Sequence, residues 1–353
     1  MEGKAMAERD DLLASIAATT ADYREGDLAA PTPAHVEKWV NQFDAAVQVP
    51  ILREMDHVLK KTYFSRQRTV GFLAGLFQTE KLVGPDPCAF WKNVKFLNIQ
   101  KGGASQTQML ALFSKILKTK CGFEAAACGS NPSVYVYIDD ATFTGNRVKQ
   151  DLESWVIKDA PNSATVHVIL IALHSGARYY AEHHHKGNIL KSASDAGKNI
   201  DFHWWCAEEL ENQKAHTNTS DVLRPVRIPD DKTVQEYVDS MTHKPHLRTA
   251  GHVGGKGLFT SDEGRQLLED EFLKAGTRIR KACPNLNKYQ RPLGNMLLET
   301  LGFGSLIVTF RNCPNNAPLA LWAGDPWYPL FPRVTNSDTA MKRFMAMLAK
   351  DVF

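Results

Sequence analysis

The chain has 353 residues, 43% of them hydrophobic and 23% charged, which is enough to bury a sizeable core and excludes a disordered protein. Its 42 Lys and Arg against 39 Asp and Glu leave a formal charge of +3; this permits an anionic substrate but does not argue for nucleic acid, whose binders concentrate charge on one face. No run approaches the roughly 18 apolar residues of a membrane span, the first residues do not read as a signal peptide, and the 6 cysteines lack C-x-x-C spacing, so reduced thiols in the cytoplasm are expected.

Residues 1–33 carry charges, alanines and threonines and end on Pro31 and Pro33. They read as an N-terminal arm or flexible lead, with Leu12, Leu13 and Ile16 able to form a short helix. Over 34–82, Val36, Trp39, Val40, Phe43, Val47, Ile51, Leu52, Met55, Val58 and Leu59 recur near helical spacing. A helical region follows, and Pro50 predicts two helices meeting at a kink. Phe72, Leu73, Leu76 and Phe77 mark a further helix ending before Gly84 and Pro85.

The next segment runs from Phe96 and Leu97 through Lys101, Gly102, Gly103, Ala104 and Ser105 into a helical face of Met109, Leu110, Phe113, Ile116 and Leu117. A short strand, a glycine loop and a helix are predicted. The glycines allow close backbone approach and Lys101 supplies charge, as a phosphate loop needs. An ordinary helix start with Ser105 near the cap fits equally well.

Residues 134–138 are β-branched and aromatic and run straight into Asp139 and Asp140, then Ala141, Thr142, Phe143, Thr144, Gly145, Asn146 and Arg147. The run reads as a strand buried on both faces, as in a parallel sheet. Val148, Leu152, Trp155 and Val156 then follow helical period. A helix N-terminus offers unpaired N–H groups and the positive end of its macrodipole, so residues 142–146 suit a phosphate. The carboxylates beside it suit ribose hydroxyls or Mg²⁺. Paired acids at a strand end also cap helices or do nothing chemical in other α/β proteins.

Residues 164–173 form another apolar strand, which with the preceding strand and helix makes a βαβ unit. Asp139 and Asp140 then stand at the C-terminal edge of a parallel sheet, where open α/β sheets bind ligands. His174 ends the second strand on that edge and reads as a polar loop residue or a group reaching substrate. His183, His184 and His185 read as a solvated loop, since consecutive residues cannot all face one ion. Trp204 and Trp205 are candidates to stack a base or to pack in the core. Residues 248–257 are glycine-rich but lack the Gly-Lys-Ser/Thr close of a Walker A motif, and read as a flexible connection or lid. The closing segment is rich in Pro and aromatics; Trp39, Trp322, Trp327, Tyr328 and Phe331 are candidates for a partner interface or for the protein's own core.

Ile138, Asp139 and Asp140, three residues, then Thr144 and Gly145 resemble the phosphoribosyl diphosphate signature of type I phosphoribosyltransferases. That resemblance implies Asp139 and Asp140 on the ribose hydroxyls, 142–147 on the 5′-phosphate, and Lys101, Gly102, Gly103 and Ser105 on the pyrophosphate. The chain departs from the pattern at Phe143, where a small hydroxyl residue is usual, at Asn146 in place of Gly, and at Arg147 in place of Thr. Arg147 can hold phosphate by a charge-assisted fork. The wider order of pieces includes Trp39, Gln42 and Phe43, then 101–106, 138–147, Leu268, Glu269 and Phe272, then 311–322 and 327–333. It is similar to the PRTase-CE group, phosphoribosyltransferase-like proteins of bacterial conflict systems, some encoded beside retron reverse transcriptases.

The resulting expectation is an α/β protein with a type I phosphoribosyltransferase-like parallel sheet at 83–225, flanked by the helical region 34–82 and a C-terminal α+β region at 226–353. The resemblance implies an anti-phage defence effector acting on a phosphoribosyl donor, a nucleotide or RNA. Asp139 and Asp140 would be catalytic and would take Mg²⁺. The implied partners are a retron reverse transcriptase with its RNA–DNA product and a winged-helix protein; a homo-oligomer is a further candidate assembly. The alternative class is a non-catalytic nucleotide or RNA sensor, or a scaffold subunit of a defence complex.

Overall fold

Asp139 and Asp140 lie in the second strand of a four-stranded sheet, ordered β1 (Lys95–Leu97), β2 (Val134–Thr142), β3 (Ser163–His174) and β4 (Asn199–Leu210). The computed structural model describes residues 2–130, 132–284 and 286–334; the last part of the expected C-terminal region, 335–353, lies outside them. β1 and β2 pair in parallel with Lys95 opposite Tyr135, and β2 and β3 in parallel with Ile138 opposite Ile169 and Asp139 opposite Leu170. Parallel neighbours need crossovers, and these are the helices α1 (Ser105–Cys121) and α2 (Asn146–Lys158). Two shorter helices, α3 (Ser175–His183) and α4 (Ile189–Asp195), link β3 to β4. The architecture is the α/β arrangement of parallel strands flanked by helices that the sequence predicts.

β3 is apolar and buried over most of its length, as a central parallel strand covered on both faces is, whereas β4 carries polar residues and is largely half-buried. On one face Tyr137, Val166, Val168 and Leu170 pack with Val148, Leu152, Trp155 and Val156 of α2 and with Ile189 and Ala193 of α4. On α1 the buried apolar residues are Met109, Phe113, Ile116 and Leu117. Trp91 meets Phe113 edge-on with ring centroids 4.7 Å apart and donates its Nε1–H to the carbonyl of Phe77 at 2.9 Å. Gly122, in the left-handed region at φ 77°, ends α1.

The chain divides into two compact units, one of 67–209 that holds this sheet and one of Met1–Arg66 with Leu210–Arg333. In the second unit the N-terminal stretch is not a loose lead. It is helical over Glu2–Thr19, and Leu13, Ile16 and Ala17 are buried. The break between two helices expected at Pro50 falls elsewhere: it lies between the helices Pro33–Val40 and Ala45–Thr62, and Pro50 sits inside the latter. Pro50 lies so near the helix start that its missing N–H removes only one early bond in the ladder. Residues 308–309 pair in parallel with 63–64, which joins the two pieces of chain that make this unit.

Much of the Pro-aromatic segment packs into the protein's own core. Trp39, Trp322 and Phe331 are buried. The indoles of Trp39 and Trp327 both donate to the carbonyl of Ala320, at 2.8 and 2.9 Å. Gln42 and Tyr328 exchange hydrogen bonds at 2.8 and 2.7 Å. Trp39, Trp322 and Phe331 therefore belong to the protein's own core, while Trp327 and Tyr328 are half-buried.

The 248–257 loop is pinned, contrary to the lid reading. Arg248 is buried and forks onto Glu269 at 2.9 to 3.2 Å, while Arg265 reaches the same carboxylate at 2.8 Å. The N–H groups of Gly255 and Lys256 donate to Asp221 at 3.0 and 2.9 Å. The expectation of reduced thiols fails as well, since Cys88 and Cys121 form a disulfide. A separation of 33 residues gives no local spacing signal; folding brings the two Cα atoms to 5.6 Å. Cys128, Cys283 and Cys313 are free thiols.

Candidate functional site

Because β1, β2 and β3 run in parallel, the turns that follow them open on one edge of the sheet. Those turns carry the candidate residues. The β1 turn holds Lys101, Gly102, Gly103 and Ser105, the β2 turn holds 143–145 after Asp139, Asp140 and Thr142, and His174 ends β3. The sheet topology therefore gathers segments that are far apart in sequence at the edge where such sheets bind ligands.

Gln100 ties the first two turns together. Its side-chain Nε2 donates to Asp139 Oδ2 at 3.1 Å and to Ser105 Oγ at 3.1 Å. Gln106 closes the loop from the other side, its Oε1 accepting from the N–H groups of Ile99 and Gln100 at 2.7 and 2.9 Å. Gly102 and Gly103 both take left-handed φ, 85° and 83°, which turns the backbone sharply just before α1. Lys101 and Gly102 are exposed.

The two acids are not equivalent. Asp139 is buried and accepts from Gln100 and, at 2.9 Å, from the N–H of Asp140. Asp140 is the more exposed of the pair and accepts from the N–H of Ala141 at 2.8 Å. The geometry makes Asp139 a buried anchor and Asp140 the member that a ligand meets more readily.

The β2 turn is shaped by what lies beneath it. Gly145 has φ 78°, and a Cβ there would stand 2.3 Å from the carbonyl oxygen of Ala177 in α3. Only glycine permits that approach. Gly145 also precedes Asn146 at the start of α2 and gives that helix no side-chain cap. The first N–H groups of α2 therefore receive no cap from Gly145, and a phosphate is a fitting acceptor. Thr142 is buried, while Phe143, Thr144 and Asn146 are half-buried.

His174 does not reach toward substrate. It is fully buried, shares a hydrogen bond between Nδ1 and the carbonyl of Thr142 at 2.8 Å, and stacks at a tilt on Phe143 with centroids 5.0 Å apart. Burial pushes its pKa down to about 4, so the ring is neutral and Nδ1–H is the donor. Phe143, which departs from the small residue expected there, is thereby the cover over this histidine.

Arg147 is exposed and donates from Nη1 to the carbonyl of Lys101. One turn on, Asp151 is buried; its carboxyl is raised by that burial and lowered by Arg147, by a hydrogen bond from Tyr137 and by the Lys101 backbone. Tyr137 Oη lies 3.2 Å from Asp151 Oδ2. Arg147 and Asp151 thus fix the start of the glycine loop to α2.

Gln100 and Asp151 were not among the residues singled out from the sequence, and Gln106 entered only as part of the resemblance over 101–106. Gln100 and Gln106 flank the glycine loop, and Asp151 is one helical turn from Arg147, but their roles depend on contacts between segments. Trp204 and Trp205 are used within the protein: their indoles donate to Glu182 at 2.6 Å and to His167 at 3.0 Å, and Trp204 packs on the sheet core. Among the described residues no group of three His, Cys, Asp or Glu could hold a metal alone, the run of three histidines included. Also among the described residues, no helix is long and apolar enough to cross a membrane.

A family model described as PRTase-CE matches residues 36–333 of the chain. No curated protein and no solved structure matches it.

Proposed function

The chain belongs to the PRTase-CE family and is a phosphoribosyltransferase-like protein, and from that premise we propose that the sheet edge binds a phosphoribosyl diphosphate donor and transfers its phosphoribosyl group. The observation that carries this reading is the bridge from Asp139 through Gln100 to Ser105, which couples the acidic pair to the glycine loop. In this reading Asp140 holds the ribose hydroxyls and Asp139 orients that segment. The α2 N-terminus at 144–147 receives the 5′-phosphate. Lys101 and the backbone of Gly102, Gly103 and Ser105 hold the pyrophosphate.

Transfer requires the acceptor to bond to C1 of the ribose while the C1–O bond to pyrophosphate breaks, the electron pair leaving with pyrophosphate. The protein's contribution is position and electrostatics. Lys101 and the start of α1 offset the charge that grows on the leaving group. The pinned Lys101 carbonyl keeps that loop in place without recruiting a reacting group.

Mg²⁺ suits this site. It binds through one or two carboxylates together with substrate phosphates and water, and Asp139 and Asp140 provide two carboxylates beside a phosphate loop. Bound there it would neutralise pyrophosphate charge. The family resemblance supports an effector role in anti-phage defence, restrained by a reverse transcriptase with its RNA–DNA product and a winged-helix protein.

The test is release of pyrophosphate from phosphoribosyl diphosphate, assayed with extracts of nucleobases, nucleotides and tRNA as acceptors, with the Asp139→Asn/Asp140→Asn protein as control. Release by wild type alone supports the transferase. Tight binding of the donor with no release supports a nucleotide sensor instead. Co-purification with the neighbouring proteins tests restraint, and a lone monomer equally non-toxic with and without them overturns it.

A further inference from the structure

Within the second unit a cleft of about 510 Å³, its open mouth included, is lined by Lys214, Arg224 and His246 together with apolar residues that include Leu293, Leu301 and Phe303. Small-ligand pockets are mostly apolar with a few polar groups that fix orientation, and this lining has that make-up. No lining residue is acidic.

The nearby carboxylates are already committed. Glu269 is held by Arg248 and Arg265 and accepts the backbone N–H of Arg224 at 2.8 Å. Glu211 accepts from Gln213 N at 2.6 Å and lies 2.9 Å from His216 Nδ1. The Arg224 guanidinium donates from Nη2 to the carbonyl of Asn212 at 2.6 Å, but its Nε–H is buried with no acceptor. An unmatched buried donor of this kind is costly unless something accepts from it. Partial desolvation, then the charges of Lys214 and Arg224, hold the His246 imidazole below its ordinary range. Positive charge is thus concentrated here without a protein counter-ion in the lining.

The walls are preformed. Leu223 and Gly304 are joined by a backbone hydrogen bond of 2.9 Å, and Leu293 accepts from Gly304 at 2.6 Å and donates to Leu301 at 2.8 Å. Gly302 and Gly304 have φ 134° and 81°, and a Cβ on either would meet backbone at 2.4 and 2.6 Å. The strands of chain that bound the cleft therefore approach as closely as glycine allows.

We infer that this cleft binds a small organic anion, a phosphate or carboxylate head carried on an apolar body. The head is matched by Lys214, Arg224 and His246, and the body by Leu293, Leu301 and Phe303. The site is separate in sequence and chemistry from the Asp139 region, and the inference stands whether or not that region transfers phosphoribosyl groups.

Calorimetry on the full chain carrying Lys101→Gln and Arg147→Ala, the cationic side chains beside the sheet-edge phosphate loops, lowers anion capture at that edge in the measurement. Phenyl phosphate and benzoate distinguish the two heads, with phenol as the neutral control and inorganic phosphate as the head alone. At least one organic anion binds at least tenfold more tightly than phenol and inorganic phosphate. Adding Lys214→Gln and His246→Gln, both at exposed positions, weakens that binding at least tenfold. Undiminished affinity in that variant overturns the inference, as does failure of both organic anions to bind, or phenol binding as tightly as they do.

Discussion

Replacing Gly145 with Ala tests whether the β2 turn is set by close approach to α3. The new methyl group would carry two separate penalties. The left-handed φ of 78° costs about 1–2 kcal/mol for a residue with a Cβ. The Cβ would also stand 2.3 Å from the Ala177 carbonyl oxygen, an overlap with backbone that forces displacement, for which about 1–3 kcal/mol is typical. Together they predict a loss of about 2–5 kcal/mol in the sheet unit. Gly102→Ala is the matched control, because its φ of 85° is equally left-handed but its Cβ would meet nothing within 4 Å. It should lose only the backbone part, about 1–2 kcal/mol. Hydrogen exchange of β2 and α2 amides, combined with urea unfolding, reads both. If Gly145→Ala costs no more than Gly102→Ala, the contact with Ala177 does not shape the turn.

Asp139→Asn with Asp140→Asn should abolish pyrophosphate release and any cellular toxicity while circular dichroism stays unchanged; full activity in that folded variant removes the site. Arg147→Ala should weaken a 5′-phosphorylated ligand by roughly 1.5–3 kcal/mol, the range for hydrogen bonds to charged groups, and should speed amide exchange at Gly102 and Gly103; equal affinity by calorimetry places the Arg147 contribution in the loop alone. For His174, a folded pKa of about 4 lies below the unfolded value near 6.5, so the unfolded chain binds the proton first. Its stabilising contribution is full above that unfolded value and falls as pH drops toward 4, by about 3 kcal/mol, and unfolding curves of His174→Gln should be flatter over this window. Reducing the Cys88–Cys121 bond, which closes a separation of 33 residues, should lower stability by about 3–4 kcal/mol on the loop-entropy relation; thiol labelling of both cysteines in protein purified without reductant contradicts the bond.

The two central strands, β2 and β3, were legible because each carries a continuous apolar run bounded by turns. The run of 134–138 marks a strand, which the structure carries through Asp139 and Asp140 to Thr142, and Val148 through Val156 mark the helix that follows, by period alone. The motif also identified the glycine loop by local composition. Contacts across segments were beyond that reach. Gln100 bridging Asp139 and Ser105, Arg147 on the Lys101 carbonyl, and Gly145 against Ala177 join residues brought together only when the crossovers dock. Burial was equally hidden: His174 follows an apolar strand as a polar residue does at a loop, yet α3 and Phe143 enclose it, and desolvation then decides its charge. The aromatics of the last segment and Cys88 with Cys121 carry no periodic signal, so their partners were fixed by the chain's path in space. Sequence period states which face of an element is apolar; which other element meets that face, and which polar groups are thereby desolvated or paired, is a property of the packed whole.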